Sequence, residues 1–343
     1  MFFADFKDGE GCKSYLIACD ETCSAAVIDP ALGQVDRYIG EIHKHGLRLR
    51  YIVDTHTHAD HFTGAQLLRD EFGAPIVMHR EAAAPFVNLR VEDGHSLPLG
   101  QMRMRIIHTP GHTRDSMCVV VGDRVFTGDT LLIQATGRSD LPSGDADQLY
   151  ESLFDKLLAL PDDTLVFPAH DYKGLGNSTI GQERASNPRL AKTQRSEFVA
   201  LMNNLNLNAP THLTEALRTN MSGGKTVDQL LREASARIPF MGLAELHAMV
   251  QRRDNDFVVL DVRETDAYQR GHVPGAIHLP RGQLELRINQ VLPDPSVEIV
   301  AVCEFGKIST LAAATLTELG FTRATALDGG MKNWLEAELP VEI

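Results

Sequence analysis

The chain has 343 residues, of which 43% are hydrophobic and 23% charged, and its formal net charge is −13. At about 100–200 residues per domain, that length suggests two domains, each with enough apolar sequence for a core. The acidic balance argues against non-specific nucleic-acid binding and against anionic membranes. No apolar run approaches the ~20 residues of a membrane span.

The five cysteines, Cys12, Cys19, Cys23, Cys118 and Cys303, are sparse and odd in number, which reads as reduced thiols in a reducing compartment. The opening MFFADFKDGEG carries acids early and lacks the basic-then-apolar pattern of a secretory signal. Together these features predict a cytoplasmic protein. An anionic substrate would need a local basic pocket set against the global charge.

In chain order, AAVIDP (25–30), YIVDTH (51–56), PIVMH (75–79) and MRIIHTPGH (104–112) read as strands running into polar loops. MCVVVGDRVFTGD (117–129) reads as a hairpin turning at Gly122-Asp123. Leu149, Leu153, Phe154, Leu157 and Leu158 recur at helical spacing after Asp145 and Asp147. LVFPAH (165–170) is another strand running into a loop. The spacing therefore predicts a mixed α/β domain over 1–205. Residues 206–238, with frequent Asn and Gly and the turn signal SGGK, read as a linker or small helical arm. A second domain over 239–343 opens with FVVLDVR (257–263) and VEIVAVC (297–303), which look like buried parallel strands. The helix after Cys303 is expected to carry Leu311, Leu316 and Leu319.

The chemistry concentrates in Thr55-His56-Thr57-His58-Ala59-Asp60-His61. Three imidazoles and a carboxylate follow an apolar strand, a donor set suited to zinc or iron. By itself the segment could also be a His-rich polar loop. His112 in TPGHT, Asp129 in TGDT and His170 in PAHDY extend it, each after a strand.

The ordered set resembles the metallo-β-lactamase superfamily. The resemblance implies an αββα sandwich with a metal site at one edge of its two sheets. Two allocations of the donors follow. In a two-zinc hydrolase of the glyoxalase II type, His56, His58, His112 and bridging Asp129 would hold one ion. Asp60, His61, Asp129 and His170 would hold the other, with a metal-bound water as nucleophile. The words THTHADHFTG, HTPGHT, GDTLLI, TGRSD and PAHDYKG are instead similar to the persulfide dioxygenase family. That resemblance implies one Fe(II) per chain on His56, His112 and Asp129, with open positions for dioxygen and a persulfide. His58, Asp60, His61 and His170 would then orient ligands or shuttle protons. It further implies oxidation of glutathione persulfide, or a related thiol persulfide, to sulfite and thiol. Arg138 and Tyr172 match positions where relatives contact glutathione, and a guanidinium suits carboxylates. The aromatic usual after the family's GR-x-D motif is replaced here by Leu141-Pro142.

Cys303 opens the loop Cys303-Glu304-Phe305-Gly306-Lys307-Ile308-Ser309 between a strand and a helix. Backbone N–H groups and a helix N-terminus there favour a negatively charged sulfur. With LDVRE (260–264), GHVPGAIHLP (271–280) and LDGGMKNW (327–334), the segment resembles the rhodanese family. That implies a doubly wound α/β domain in which Cys303 is the persulfide-forming nucleophile, passing sulfur between thiosulfate or sulfite and a thiol. Glu304 and Ile308 stand where rhodanese loops often carry arginine, and Glu304 would oppose thiolate formation and repel thiosulfate, while Lys307 partly offsets this. Arg263 reads as a structural ion-pair partner. A homo-oligomer is compatible with all of these features.

Overall fold

The computed structural model describes residues 1–9, 11–205, 207, 213–252 and 256–343. It divides into two compact units, Met1–Gly224 and Lys225–Ile343.

In the first unit, β1 (Phe2–Lys7), β2 (Lys13–Ala18), β3 (Ser24–Ile28), β4 (Arg48–Val53), β5 (Ile76–His79) and β6 (Leu89–Val91) form one sheet in that order. Pairing is antiparallel from β1 to β3 and parallel from β3 to β6. A second sheet contains β7 (Ser96–Leu99), β8 (Met102–His108), β9 (Met117–Val121) and β10 (Arg124–Gly128). It continues past a two-stranded ribbon, β11 (Leu131–Leu132) and β12 (Ala135–Thr136), through β13 (Leu165–Pro168) and β14 (Ser178–Thr179). Its order is β14-β13-β10-β9-β8-β7.

The period of two along each strand sorts residues between layers. Tyr15, Ile17, Ile28 and Val53 meet Ile106, Val119, Phe126 and Phe167 between the sheets. Leu16, Val27 and Ile52 face the opposite way and pack with Val35, Tyr38 and Ile42 of the helix Val35–Lys44. On the outer side of the second sheet, Val125 and Val166 pack with Leu149, Leu153, Leu157 and Phe198. The layering is therefore helix, sheet, sheet, helix, the expected αββα sandwich. Asp145 caps the helix Ala146–Glu151 by accepting from Asp147 N (2.9 Å) and Gln148 N (3.0 Å). Beyond it the coil widens to a π turn over Ser152–Lys156 and then tightens to a 3-10 turn.

The second unit is a parallel sheet of order β15-β19-β18-β16-β17, from Phe240–Met241 (β15), Phe257–Asp261 (β16), Ile277–His278 (β17), Glu298–Val302 (β18) and Ala324–Leu327 (β19). Leu260, Ile299 and Ala301 pack on one face with Ile288, Ala312 and Leu316. Val259, Val300 and Val302 pack on the other with Leu246 and Trp334. Both faces are covered, as a doubly wound domain requires. Of the leucines expected on that helix, Leu316 is buried, while Leu319 falls just past its end at Glu318 and is 42% exposed.

The stretch expected as a linker contains two helices, Leu213–Ser222 and Val227–Arg237, one in each unit. Its residues 206 and 208–212 lie outside the described residues. Among the described residues, no helix is long and apolar enough to cross a membrane.

Candidate metal centre and sulfur-carrier loop

Strand β4 stops at Val53, and the histidine-rich loop begins at once against the end of β3. There Asp29, held at φ 51°, accepts from Thr55 N at 2.7 Å and from Thr55 Oγ1 at 2.9 Å. Because the hydroxyl spends its hydrogen on Asp29, its lone pair accepts from His56 Nδ1 at 3.0 Å. His56 therefore carries its hydrogen on Nδ1, and its Nε2 is buried without a hydrogen-bond partner. Burial, then the neighbouring His58, holds this ring neutral, with a pKa well below the usual imidazole range. His112, beyond β8, meets the carbonyl oxygen of Arg138 with Nδ1 at 2.8 Å. A carbonyl only accepts, so His112 has the same tautomer, and its Nε2 lies 3.6 Å from Asp129 Oδ2. One ligand atom from each of His56, His112 and Asp129 falls within 4.8 Å of the others.

An orphaned, buried Nε2 is costly unless something fills the space before it. Two imidazoles fixed through Nδ1, beside one carboxylate, fit a divalent transition metal. Two glycines permit the approach. A Cβ at Gly137 would stand 1.9 Å from the carbonyl oxygen of Asp129 and 3.0 Å from His112 Nδ1. At Gly128, with φ +50°, it would stand 2.4 Å from Thr55 Oγ1.

The other sequence-derived donors sort differently. His58 does not join the His56 group, as the two-metal allocation required. Its Nε2 lies 3.2 Å from Asp29 and 3.9 Å from Asp54, and these three form a separate buried cluster. Asp60, His61 and His170 gather instead with Cys12. His170 places Nδ1 2.6 Å from Asp129 Oδ1 and Nε2 2.6 Å from Asp60 Oδ2. Both ring nitrogens face carboxylates, so both donate and the ring is a cation. Burial opposes that charge, but Asp129 and Asp60 raise the pKa well above the usual range. Burial opposes the charge of Asp129, but His170 outweighs it and holds the carboxyl below the usual carboxylate range. Its oxygens divide the work: Oδ1 holds His170 and Oδ2 faces the His56–His112 pair.

A cavity of about 750 Å³ opens onto His112, Asp129, Asp60 and Cys12. Arg138, Tyr172 and Leu141 line it, joined by Lys173 and Arg189. Arg138 is engaged with Asp140 through Nε (2.6 Å) and Nη2 (2.7 Å). Tyr172 is 68% exposed and stacks on His170 with ring centroids 5.0 Å apart. Arg189 donates from Nη1 to Thr136 O (2.5 Å) and Oγ1 (3.2 Å), and makes no ion pair among the described residues. An acidic protein thus has a locally basic mouth above its candidate metal centre.

In the second unit β18 delivers Cys303, 1% exposed, to the start of the helix Lys307–Glu318. Its Sγ lies 3.3 Å from Ser309 Oγ, which donates to Gly306 O at 2.9 Å. Gly306, at φ 86°, makes the turn into the helix. Glu304 reaches Arg263 Nη1 at 3.2 Å, while Phe305, Lys307 and Ile308 are exposed.

Comparison with known proteins places these geometries. A family model of the metallo-beta-lactamase superfamily matches residues 8–170, and one of the rhodanese-like domain matches residues 243–337. The human protein "Persulfide dioxygenase ETHE1, mitochondrial" is 42% identical over 214 residues, covering 62% of this chain and 84% of its own length. The chain belongs to the persulfide dioxygenase family. The crystal structure of ETHE1 from Myxococcus xanthus superimposes with a TM-score of 0.64 at 42% identity, covering 66% of this chain and all of that one. A metallo-beta-lactamase structure from Staphylococcus aureus spans 96% of this chain and 98% of its own at a TM-score of 0.62; at 22% identity it speaks for the fold. The protein is thus an oxidoreductase of this family fused to a rhodanese-like domain.

For a family member, the residues around the donors matter as much as the donors, and the sequence reading missed several. Asn220, 5% exposed in the segment expected as a linker, donates to His58 O (2.9 Å) and His61 O (2.8 Å) and accepts from Thr63 N (3.1 Å). It clamps the histidine-rich loop. Asp29, read as the polar end of a strand, sets the tautomer of His56 through Thr55. Cys12 and Arg189 had no motif to mark them. A locally basic partner for an anion was the one available signal for Arg189, and it is common to every surface arginine.

Proposed function

We propose that the chain oxidises glutathione persulfide, or a related thiol persulfide, with dioxygen at a single Fe(II) held by His56, His112 and Asp129. One persulfide, one dioxygen and one water yield the thiol, sulfite and two protons. In the same chain, Cys303 would carry sulfane sulfur to and from thiols. The observation that carries this reading is the contrast between two donor sets. His56 Nε2 is buried and unpartnered beside His112 and Asp129, and His61 Nε2 is so in the other set; what separates the sets is His170, whose two ring nitrogens each face a carboxylate.

When bound, a ferrous ion with three protein donors supplies vacant positions where dioxygen and a sulfur anion can meet. The chain's own residues do the rest. Thr55 Oγ1 and the Arg138 carbonyl keep the hydrogens of His56 and His112 on Nδ1, so each Nε2 lone pair points inward. Asp129 brings the negative charge. His170 holds a proton on Nδ1 against Asp129 and another on Nε2 against Asp60, beside the cavity that would take the persulfide. Arg189, Lys173 and Arg138 offer cations to the carboxylates of a glutathione-like carrier, with Arg138 exchanging the half-exposed Asp140 for substrate. Leu141 lines an apolar part of the same wall.

Anaerobic loading with Fe(II), metal analysis and oxygen uptake on glutathione persulfide test the proposal together. The expected result is one iron per chain and persulfide-dependent uptake. Two zinc ions per chain, thioester hydrolysis and no oxygen uptake would replace it with the glyoxalase II-type hydrolase.

A further inference from the structure

The pocket at Cys303 is balanced in charge in a way that bears on its sulfur donor. It is a cavity of about 820 Å³ containing three arginines, Arg263, Arg270 and Arg281. Each has an acidic partner, buried for Arg263 and exposed for Arg270 and Arg281. Arg263 meets Asp261 through Nη2 (2.7 Å) and Nε (3.0 Å), and Glu304 through Nη1 (3.2 Å). Arg270 pairs with Asp266 at 3.0 Å, and Arg281 with Glu285 at 2.7 Å. Glu304 directly follows the nucleophile, its side chain 42% exposed within the cavity lining. Next to it the loop is apolar and open: Phe305 is 64% exposed and Ile308 49%. Lys307 is exposed and does not belong to the lining.

Thiosulfate and sulfite are small dianions whose charge lies within one bond of the reacting sulfur. They need unspent cations beside the nucleophile, and here Arg263, which lines the cavity with Cys303, is held by Asp261 and by Glu304, the residue that follows the nucleophile. The reacting end of an organic persulfide carries at most one negative charge, R–S–S⁻, and none in the protonated form R–S–SH that a thiolate attacks. Its carbon skeleton suits an apolar rim. We infer that Glu304 is a specificity-determining residue that turns Cys303 away from inorganic thiosulfate and sulfite and towards persulfides carried on organic thiols. This rests on the sulfur-carrier role proposed for Cys303.

The step balances without any other reactant. The Cys303 thiolate attacks the outer sulfur of R–S–SH, the S–S bond of the donor breaks, and R–S⁻ leaves. The outer sulfur keeps its hydrogen in Cys303–S–SH. A second thiolate then attacks that outer sulfur and restores the Cys303 thiolate.

The test uses the full chain under anaerobic conditions, so that the metal centre consumes no persulfide. Initial rates at which Cys303 gains the mass of one sulfur atom are read by mass spectrometry with either glutathione persulfide or thiosulfate as donor. The parent protein is expected to load at least about tenfold faster from the persulfide, and Glu304→Gln to shift the ratio towards thiosulfate by about tenfold, the scale of removing one unfavourable like-charge contact. Cys303→Ser should load from neither. Equal loading of the parent from both donors, or an unchanged ratio in Glu304→Gln, overturns the inference. A parent that loads from neither donor removes the sulfur-carrier role itself, and the inference with it.

Discussion

Replacing Thr55 with valine isolates the outer support of the metal centre from its ligands. Thr55 is wholly buried, and valine keeps its branched shape while removing the hydroxyl. Two contacts vanish: the bond to Asp29 Oδ2 (2.9 Å) and the contact with His56 Nδ1 (3.0 Å). Asp29 Oδ1 keeps Thr55 N at 2.7 Å, so the backbone clamp survives. A buried donor or acceptor left unpaired costs about 1–3 kcal/mol. His56 Nδ1 and Asp29 Oδ2 together therefore predict a loss of roughly 2–4 kcal/mol from the first unit, the contacts being coupled rather than additive. The ring of His56 also loses what fixes its tautomer, and removal of such an outer partner weakens metal binding by about 10–100-fold. Iron affinity by competition with a coloured chelator, alongside denaturant unfolding of the metal-free protein, reads both effects. Thr55→Ser, which restores the hydroxyl, should recover most of the affinity. A folded Thr55→Val protein with parental iron affinity would refute the chain from Asp29 through Thr55 to His56.

Asp129→Ala should lose metal and oxygen uptake together, and metal analysis showing parental iron content would contradict its place among the ligands. Arg189→Met should raise KM for glutathione persulfide by about tenfold with kcat largely spared, the pattern of lost uniform binding; an unchanged KM would remove Arg189 from the carrier's site. Asn220→Leu leaves two loop carbonyls and one N–H without their partner. Its unfolding free energy should fall by about 2 kcal/mol, and an unchanged denaturant midpoint would show that the loop does not need the clamp. His79 stacks on His108 at 3.7 Å, and burial, then that neighbour, lowers its pKa from 6.5 to about 4. The unfolded chain therefore takes up this proton first as pH falls, and stability declines between about pH 6.5 and pH 4. His79→Phe should flatten that decline, and parallel curves would sink the assignment.

The histidine-rich loop was legible because its donors are adjacent in sequence and follow a strand, so local pattern and function coincide. The hairpin at Gly122-Asp123 was legible for the same reason, and the structure pairs Arg124 with Val121 across it. The strand Lys13–Ala18 was not named beforehand. It opens with a lysine that is nonetheless 4% exposed, its ammonium reaching Asp5, and this breaks the apolar signature. The helix predicted from Leu149 through Leu158 is regular only to Glu151. The π turn after it keeps Leu149, Leu153 and Leu157 on one buried face, so the spacing reported the burial correctly but not the coil. Asn220 was out of reach altogether. Its contacts span about 160 positions and end on backbone atoms, which leave no mark on the sequence of the partner.

On the proposed reading, the donor pattern shared by hydrolases and dioxygenases is divided here by a feature that motifs do not record, namely where the protons sit. Asp60, Asp129 Oδ1 and His170 are three donors that a second metal would take. Here they are joined by two 2.6 Å contacts through one imidazolium. That ring supplies, between two carboxylates, the positive charge a second ion would otherwise provide. His61 adds to the same balance: burial opposes its charge, yet Asp60 at 3.3 Å raises its pKa to about 10. The His56–His112 pair is built the opposite way. Both rings give their Nδ1 side outward, to Thr55 and to the Arg138 carbonyl, leaving the Nε2 sides to face inward beside Asp129 Oδ2. A cation is thus already present on one side of Asp129 and wanted on the other. On the proposed reading one metal completes these seven residues because His170 and His61 carry positive charge of their own.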